Sequence, residues 1–473
     1  MQPTTPPPAT FLDKVWNEHV IADLGGGSAL LRIDRFILHD LNGGVAFPSL
    51  ERSGRAVLRP DLVFAVMDHL IDTRPGRGSD DAANPRGVEF IQSTRRCAEK
   101  FGITLFDVDD PRQGICHVIA PELGIVLPGL SLVCCDSHTC TLGGLGALAF
   151  GVGSTEGVHV LATQTLVQSK PLRMRVTLTG RPQNCVTAKD IILGLIGKIG
   201  ASGGNGYAVE FTGQTIDEMS VESRLTLCNM SIEFTAKYGF IPPDDVTFQF
   251  LAGRDFSPNG RLWDQALNYW RSLPSDADAV FDKDISMDCG SLAPQVTWGT
   301  SPEHVIPIDH HVPSPDKARD SGARQRAQTA LEYMQLSPGT EIEGTPIDAA
   351  YIGACTNARL SDLRDAARFL KGRKVAPGIQ AVCIPGSTRV KREAEAEGLH
   401  HVFLDAGFEW HEAGCGLCAN MGNERFAGLR VISTTNRNFE GRQGPLTRTH
   451  LASPATVAIS AVNGRISDPR KAV

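Results

Sequence analysis

Hydrophobic and polar positions along this chain switch repeatedly between two periods, in an order that predicts strand, turn and helix in succession. Leu172, Met174, Val176 and Leu178 recur at every second residue with polar neighbours between them, the pattern of a half-buried strand. A few residues on, Thr187 stands three positions before Asp190 and opens the apolar run Ile191-Ile192-Leu193, which predicts a helix started by a capping box. The C-terminal third repeats the scheme, with strands over 349–353, 379–384 and 429–434 and helices over 361–371 and 388–397 between them. Strands that alternate with helices predict an α/β fold with mostly parallel sheets, because the helical crossovers must cover the sheet faces.

A chain of 473 residues has room for two to four domains. We place boundaries near 170 and 290, giving three α/β/α domains over 11–170, 171–290 and 291–473, after a flexible tail over 1–10. The polar, Pro-containing stretch 299–346 reads as a surface connection that holds one helix over 323–334. The tail has neither a basic n-region nor an apolar run, so it is expected to be neither a signal nor a transit peptide. No apolar run approaches the roughly 18 residues a membrane helix needs; even Ala188–Ile199 is interrupted by Lys189, Asp190 and Lys198. Charged residues make up 21% and the net charge is −7, which argues against nucleic acid or an anionic membrane as a partner. The 12 cysteines are scattered rather than evenly spaced, so a reducing, cytoplasmic setting is expected.

Chemistry-bearing clusters fall just after predicted strands. Asp136-Ser137-His138-Thr139 follows 130–134, Cys355 follows 349–353, and Asn436-Arg437-Asn438 follows 431–435. In open α/β sheets ligands bind beyond the carboxyl ends of the strands, so these segments are expected to meet at one site. Cys355 lies in Gly353-Ala354-Cys355-Thr356-Asn357, and Cys415 and Cys418 lie in Gly414-Cys415-Gly416-Leu417-Cys418. Three thiolates suit an iron–sulfur cluster with one corner open. A Cys-x-x-Cys pair alone also suits zinc or thiol redox chemistry, but structural zinc wants a fourth ligand. Three ordinary buried thiols are the remaining reading.

Imidazoles and cations surround these motifs in sequence. Asp68-His69 and Asp136-Ser137-His138 each place a carboxylate near an imidazole, and His117 follows Cys116. Such pairing fixes a tautomer and raises the imidazole pKa, as a proton donor requires, and it equally describes a hydrogen-bonded pair with no chemistry. Asn436 through Arg442 carries two guanidinium groups and two amides, which suits a di- or tricarboxylate and would also suit a solvated loop. Glu210, after a glycine-rich turn, is either a buried carboxylate near the cluster or a strand residue. Gly143-Gly144-Leu145-Gly146 lacks the order of a dinucleotide-binding loop and reads as tight backbone packing.

With these residues in place the chain resembles the aconitase superfamily and, within it, the large subunits of the isopropylmalate isomerase branch. The resemblance runs from about Phe11 to Asn463 and is carried by Ile33-Asp34-Arg35, Met67-Asp68-His69, Gln113 through His117, Cys135 through Thr139, Thr187-Ala188-Lys189-Asp190, Val296 through Pro302 and Asn436 through Gly444. It implies one [4Fe-4S] cluster per chain on Cys355, Cys415 and Cys418, set in a central cleft between three domains. It further implies that His69 with Asp68, and His138 with Asp136, act as acids, and that His117 and Glu210 orient the reacting oxygen. Ser137, Arg437 and Arg442 would contact substrate carboxylates, His39 would face the substrate, and Asn436 would lie near the cluster.

The activity implied is a hydro-lyase that interconverts 2-isopropylmalate and 3-isopropylmalate by dehydration and rehydration, in leucine biosynthesis. The family's fourth, swivelling domain, with its base serine and substrate-binding Arg, is expected on a separate small subunit. The sequence departs from the usual pattern at Gly416-Leu417, at Leu142-Gly143 and at Leu70-Ile71-Asp72. These departures keep open a paralogue acting on another 2-alkylmalate, a methylmaleate or a tricarboxylate. The acidic balance argues against an RNA-binding iron sensor, and the lack of a comparable fourth cysteine argues against an electron carrier.

Overall fold

The chain, here a computed structural model, is described over residues 7–419, 422 and 424–472. Three parallel sheets, each drawn from one stretch of sequence, carry its architecture. The first has the spatial order Thr104–Phe106, Val63–Val66, Arg35–His39, Ser131–Cys134 and Leu148–Gly151. The second runs Tyr238–Phe240, Tyr207–Thr212, Leu172–Thr179 and Lys283–Asp288. The third runs Glu409–Trp410, Gln380–Cys383, Ala349–Ile352, Arg430–Ser433 and Arg448–Leu451. A three-stranded antiparallel sheet, Val20–Gly25, Ser28–Arg32 and Thr165–Ser169, and a hairpin of Gln295–Thr297 with Val305–Pro307 complete the β-structure.

The sequence explains why the main sheets are parallel. Val63–Val66, Ser131–Cys134 and Ala349–Ile352 are buried at every position, as strands covered on both faces must be. The predicted α/β architecture with mostly parallel sheets is therefore the observed one. The helix after Leu172–Thr179 spans Ala188–Ile199 and begins with the expected Thr187/Asp190 capping box.

Two expectations change. The stretch 299–346 is more than a surface connection, because Ile308, Val312, Ala330, Leu331 and Ile342 are buried in the core beneath the third sheet. Its many polar residues mask apolar positions that recur too sparsely to read as a core. Residues 1–6 of the expected tail lie outside the described residues, but Ala9 and Thr10 are anchored. The Ala9 N–H donates to Asp276 across 2.8 Å, and Thr10 forms a capping box for helix Phe11–His19.

The segment between the second sheet's strands Tyr238–Phe240 and Lys283–Asp288 leaves its own sheet. Phe248, Leu251, Trp270 and Leu273 pack into the core of the first sheet instead. The carboxyl ends of strands Arg35–His39, Val63–Val66, Ser131–Cys134, Ala349–Ile352 and Arg430–Ser433 lead directly into His39, Asp68-His69, Asp136, Cys355 and Asn436. Among the described residues, no helix is long and apolar enough to cross a membrane.

Candidate functional site

Asp136 stands at the centre of a group of imidazoles that three separate segments of the chain bring together: the turn after Val63–Val66, the helix Cys116–Glu122 and the 3-10 segment Ser137–Leu145. Its Oδ1 accepts the backbone N–H of His138 at 2.6 Å and lies 3.2 Å from His117 Nε2, while Oδ2 lies 3.3 Å from His69 Nε2. Burial alone would raise its pKa, yet close contact with His117, His138 and His69 holds the carboxyl well below its ordinary range. His117 is aligned poorly with that carboxylate, and both its ring nitrogens are buried without a hydrogen bond among the described residues.

His69 is gripped from both sides. Its Nδ1 lies 2.8 Å from Asp68 Oδ1, opposite the Asp136 contact. Burial works against a charged ring, but Asp68 and Asp136 offset it and keep His69 well above the usual imidazole pKa. Asp68 is fixed in turn by the Cys116 backbone N–H at 2.9 Å, and the His69 and Leu70 N–H groups donate to the buried Asp40. His39 stacks on His69 with centroids 3.8 Å apart. Burial, together with the His69 charge, pushes its pKa down to about 3, so His39 is neutral.

A second run of contacts leads away from Asp136. His138 Nδ1 lies 3.5 Å from Asp136 Oδ1 and its Nε2 lies 2.7 Å from Glu233 Oε1. Arg437 Nε donates to both Glu233 oxygens at 2.9 and 3.1 Å, and its Nη2 donates to Ser137 Oγ at 2.9 Å. Burial opposes charge on His138 and Glu233, but Asp136 and Glu233 together raise the imidazole, and His138 with Arg437 lowers the Glu233 carboxyl.

The three cysteines close the site on the side of the third sheet. Ala354, Cys415 and Cys418 form one buried cluster, and Cys355 follows Ala354 directly. Ala354 takes φ +73, a left-handed conformation that a non-glycine residue holds only under constraint. Gly416 lies between the paired cysteines at φ +52, where a Cβ would overlap Ile384 Cδ1, so a side chain there would meet both backbone strain and a displaced neighbour. Cys355 Sγ accepts from Asn229 Nδ2 at 3.1 Å and Asn436 Nδ2 at 3.5 Å, while Cys418 Sγ lies 2.9 Å from Thr435 Oγ1 and accepts from Arg442 Nη2 at 3.5 Å. The hydrogen bond with Cys415 and the Arg442 charge hold the Cys418 thiol well below its ordinary pKa, whereas burial pushes Cys355 up. Amide, hydroxyl and guanidinium donors aimed at sulfur suit thiolate ligands, so the donor set fits a thiolate-bound metal centre.

The structure thus gathers His39, Asp68, His69, His117, Asp136, Ser137, His138, Asn436, Arg437 and Arg442 with Cys355, Cys415 and Cys418. Glu210 is the exception. It lies within the strand Tyr207–Thr212 rather than beyond its carboxyl end, and its Oε2 accepts from Ser275 Oγ at 2.7 Å. Burial pushes its pKa up to about 7 there, with Arg175 and Lys14 as the nearby charges, away from the imidazoles. The carboxylate that meets His138 is Glu233.

Glu233, Asn229 and Asn42 escaped the sequence reading. Glu233 and Asn229 sit where the helix Val221–Asn229 runs into the 3-10 turn Met230–Phe234, with no local motif to mark them. A signal did exist for Asn42: His39, Asp40 and Asn42 are polar residues clustered just past a buried strand.

Buried thiols ringed by donors lie beside carboxylate-held imidazoles at the strand ends of parallel sheets, a set of groups chemically suited to a thiolate-bound metal and to proton transfer in an α/β enzyme. The chain belongs to the aconitase family: the model for "Aconitase family (aconitate hydratase)" matches residues 13–464. A protein of Bradyrhizobium diazoefficiens named 3-isopropylmalate dehydratase large subunit 1 is 52% identical over 462 residues, 98% of this chain and 96% of that one. The 3-isopropylmalate dehydratase large subunit of Roseiflexus castenholzii is 48% identical over 474 residues, 98% of this chain and 100% of that one. Thermococcus kodakaraensis aconitase X, in its holo-form, aligns with a TM-score of 0.48 at 12% identity, over 91% of this chain and 90% of that one.

Proposed function

We propose that this chain is the large subunit of an isopropylmalate isomerase, a hydro-lyase that interconverts 2-isopropylmalate and 3-isopropylmalate in leucine biosynthesis. The observation that carries the reading is the 52% identity, over 98% of the chain, with a 3-isopropylmalate dehydratase large subunit. Cys355, Cys415 and Cys418 would hold one [4Fe-4S] cluster. When bound, such a cluster supplies a Lewis-acidic iron for a substrate hydroxyl.

The chain's own residues then handle protons and carboxylates. His69, kept protonated between Asp68 and Asp136, gives a proton to the departing hydroxyl, so that the C–O bond breaks and water leaves. The proton on the adjacent carbon goes to a base, and the C–H electrons form the double bond of the enoate. Re-addition of water with the positions exchanged gives the isomer. His138, between Asp136 and Glu233, is the second imidazole on the path, and His117 orients the oxygen. Ser137, Arg437 and Arg442 receive the carboxylates, since guanidinium forks match carboxylate geometry; Arg437 shares its fork with Glu233 until substrate arrives. Asn436 supports the sulfur of Cys355.

The base serine and a further Arg belong to a swivelling domain on a small subunit, the partner that the relatives' "large subunit" names imply. Twelve free cysteines suit a reducing compartment, and the same reading places the enzyme in the cytoplasm with three domains divided near 170 and 290. Leu70, Ile71 and Leu142, three of the positions where the sequence departs from the usual pattern, are buried in apolar cores, which supports a packing role for them.

The test is an anaerobic assay of the reconstituted chain, alone and with its small subunit, on a panel of 2-alkylmalates. We expect turnover of isopropylmalate above all others, only by the pair. Turnover by the chain alone would defeat the partner requirement, and preference for another malate would move the substrate. Cys415→Ser should lose the broad visible absorbance of the cluster; a full four-iron cluster in that variant would defeat the ligand set.

A further inference from the structure

Next to the charged His69 lies a histidine whose proton position the surrounding groups determine. Asn42 Nδ2 lies 2.7 Å from the Cys135 carbonyl oxygen, which can only accept, and Asn42 Oδ1 accepts from Ser154 Oγ at 2.9 Å. The carbonyl therefore fixes which end of the amide is Nδ2, a donor, and the Ser154 hydroxyl, which can donate or accept, satisfies the other end. The same Nδ2 stands 2.8 Å from His39 Nε2. A ring nitrogen facing a donor must be the bare one, so the proton of this neutral ring sits on Nδ1. His39 is 1% exposed, and its Nδ1 has no hydrogen-bond partner among the described residues. The ring lies face to face with His69 at 18° between planes, within the imidazole group of the site.

We infer that Asn42 is a positioning residue that locks His39 in its Nδ1–H tautomer, making that N–H the donor for a carboxylate oxygen of the bound substrate. A buried donor left unpaired is unfavourable, and a ligand oxygen that pairs with it recovers that loss. A neutral donor is also what the place demands, since a second positive ring stacked on His69 would be repelled. The choice of a carboxylate rests on the function proposed above; the tautomer does not.

The experiment uses the full chain, ligand-free, with histidine labelled by nitrogen-15, and identifies the His39 signals by their loss in His39→Gln. The expected spectrum shows a protonated Nδ1 and a bare Nε2. Asn42→Asp puts an acceptor against Nε2 and should move the proton there; in the assembled enzyme it should raise KM about tenfold with a smaller change in kcat. A protonated Nε2 in the wild-type chain overturns the inference, as does an Asn42→Asp chain with the tautomer unchanged. Should that variant not fold, Asn42→Leu, close to asparagine in size and without a donor, should raise the Nε2–H fraction, with an unchanged spectrum counting against the inference. An Nδ1 signal that does not respond to a malate the enzyme turns over overturns the donor role. Absence of isopropylmalate turnover would instead defeat the proposed function and leave the tautomer result standing.

Discussion

His69 concentrates the electrostatics of the site in one side chain. A histidine pKa raised on folding contributes stability that is complete below the unfolded value and disappears as pH rises through the folded value. Burial opposes charge on His69, but Asp68 and Asp136 dominate and raise the pKa well above 6.5, so its contribution should persist through neutral pH and fade in alkali. Asp136, held well below 3.8 despite its burial, has the opposite sign, and its contribution should fade only in strong acid. For the ligand-free chain, His69→Gln should therefore lose about 3–5 kcal/mol near pH 6, the range for breaking a buried ion pair. Melting curves of both chains against pH check this: the gap should narrow as pH climbs, and a widening gap would contradict the assignment. Asp68, His69, Asp136 and His138 were legible because each acid precedes its imidazole within two residues. Glu233 and Asn229 were not, since their partners His138 and Cys355 lie 95 and 126 positions away. Glu210 drew attention through its neighbouring glycines, which say nothing about which end of a strand a side chain occupies.

At the scale of elements, the 3-10 segment Ser137–Leu145 delivers Ser137 and His138, and it can do so only because it packs backbone to backbone. A Cβ on Gly143 would overlap the Gly239 carbonyl oxygen, and one on Gly144 would stand 3.0 Å from the backbone of Arg224 and Leu225. The glycines thus serve close approach to the strand Tyr238–Phe240 and the helix Val221–Asn229, as the missing dinucleotide pattern implied. Gly143→Ala should destabilise the fold by at least about 1–3 kcal/mol, the range for overpacking a core. Urea unfolding followed by circular dichroism measures it; a midpoint equal to wild type would mean that the contact relaxes freely. Regular elements were readable wherever burial imposes a strict period: the helix predicted over 388–397 is Thr388–Ala396, and the strand over 349–353 is Ala349–Ile352. What the period could not reveal is which sheet an element joins, and so Phe248 and Trp270 lie in sequence with the second sheet and pack against the first.

For the whole molecule, the question is what keeps the strand ends of different sheets in register at the site. Lys189 gives one answer. Its side chain is fully buried, and from the helix Ala188–Ile199 behind the second sheet its Nζ donates to the Thr434 and Thr435 carbonyls at 2.9 and 2.6 Å. Those carbonyls immediately precede Asn436 and Arg437 at the end of a third-sheet strand. Burial pushes the Lys189 pKa down to about 7, yet a neutral amine keeps two N–H donors, so the link holds in either protonation state. Sequence reading could mark Lys189 only as an interruption of an apolar helix, because its partners lie 245 and 246 residues away and are backbone oxygens that no motif encodes. Lys189→Met keeps the apolar stem and strands two buried acceptors at about 1–3 kcal/mol each, reduced by the relief of a buried cation. The ligand-free variant should therefore melt lower and exchange amide hydrogens faster across 434–438 than wild type, while the first sheet's strands keep their protection. Equal exchange rates at 434–438 in the two chains would show that the third-sheet loop is held by its own contacts with Cys355 and Glu233, and that the second sheet contributes nothing to its alignment.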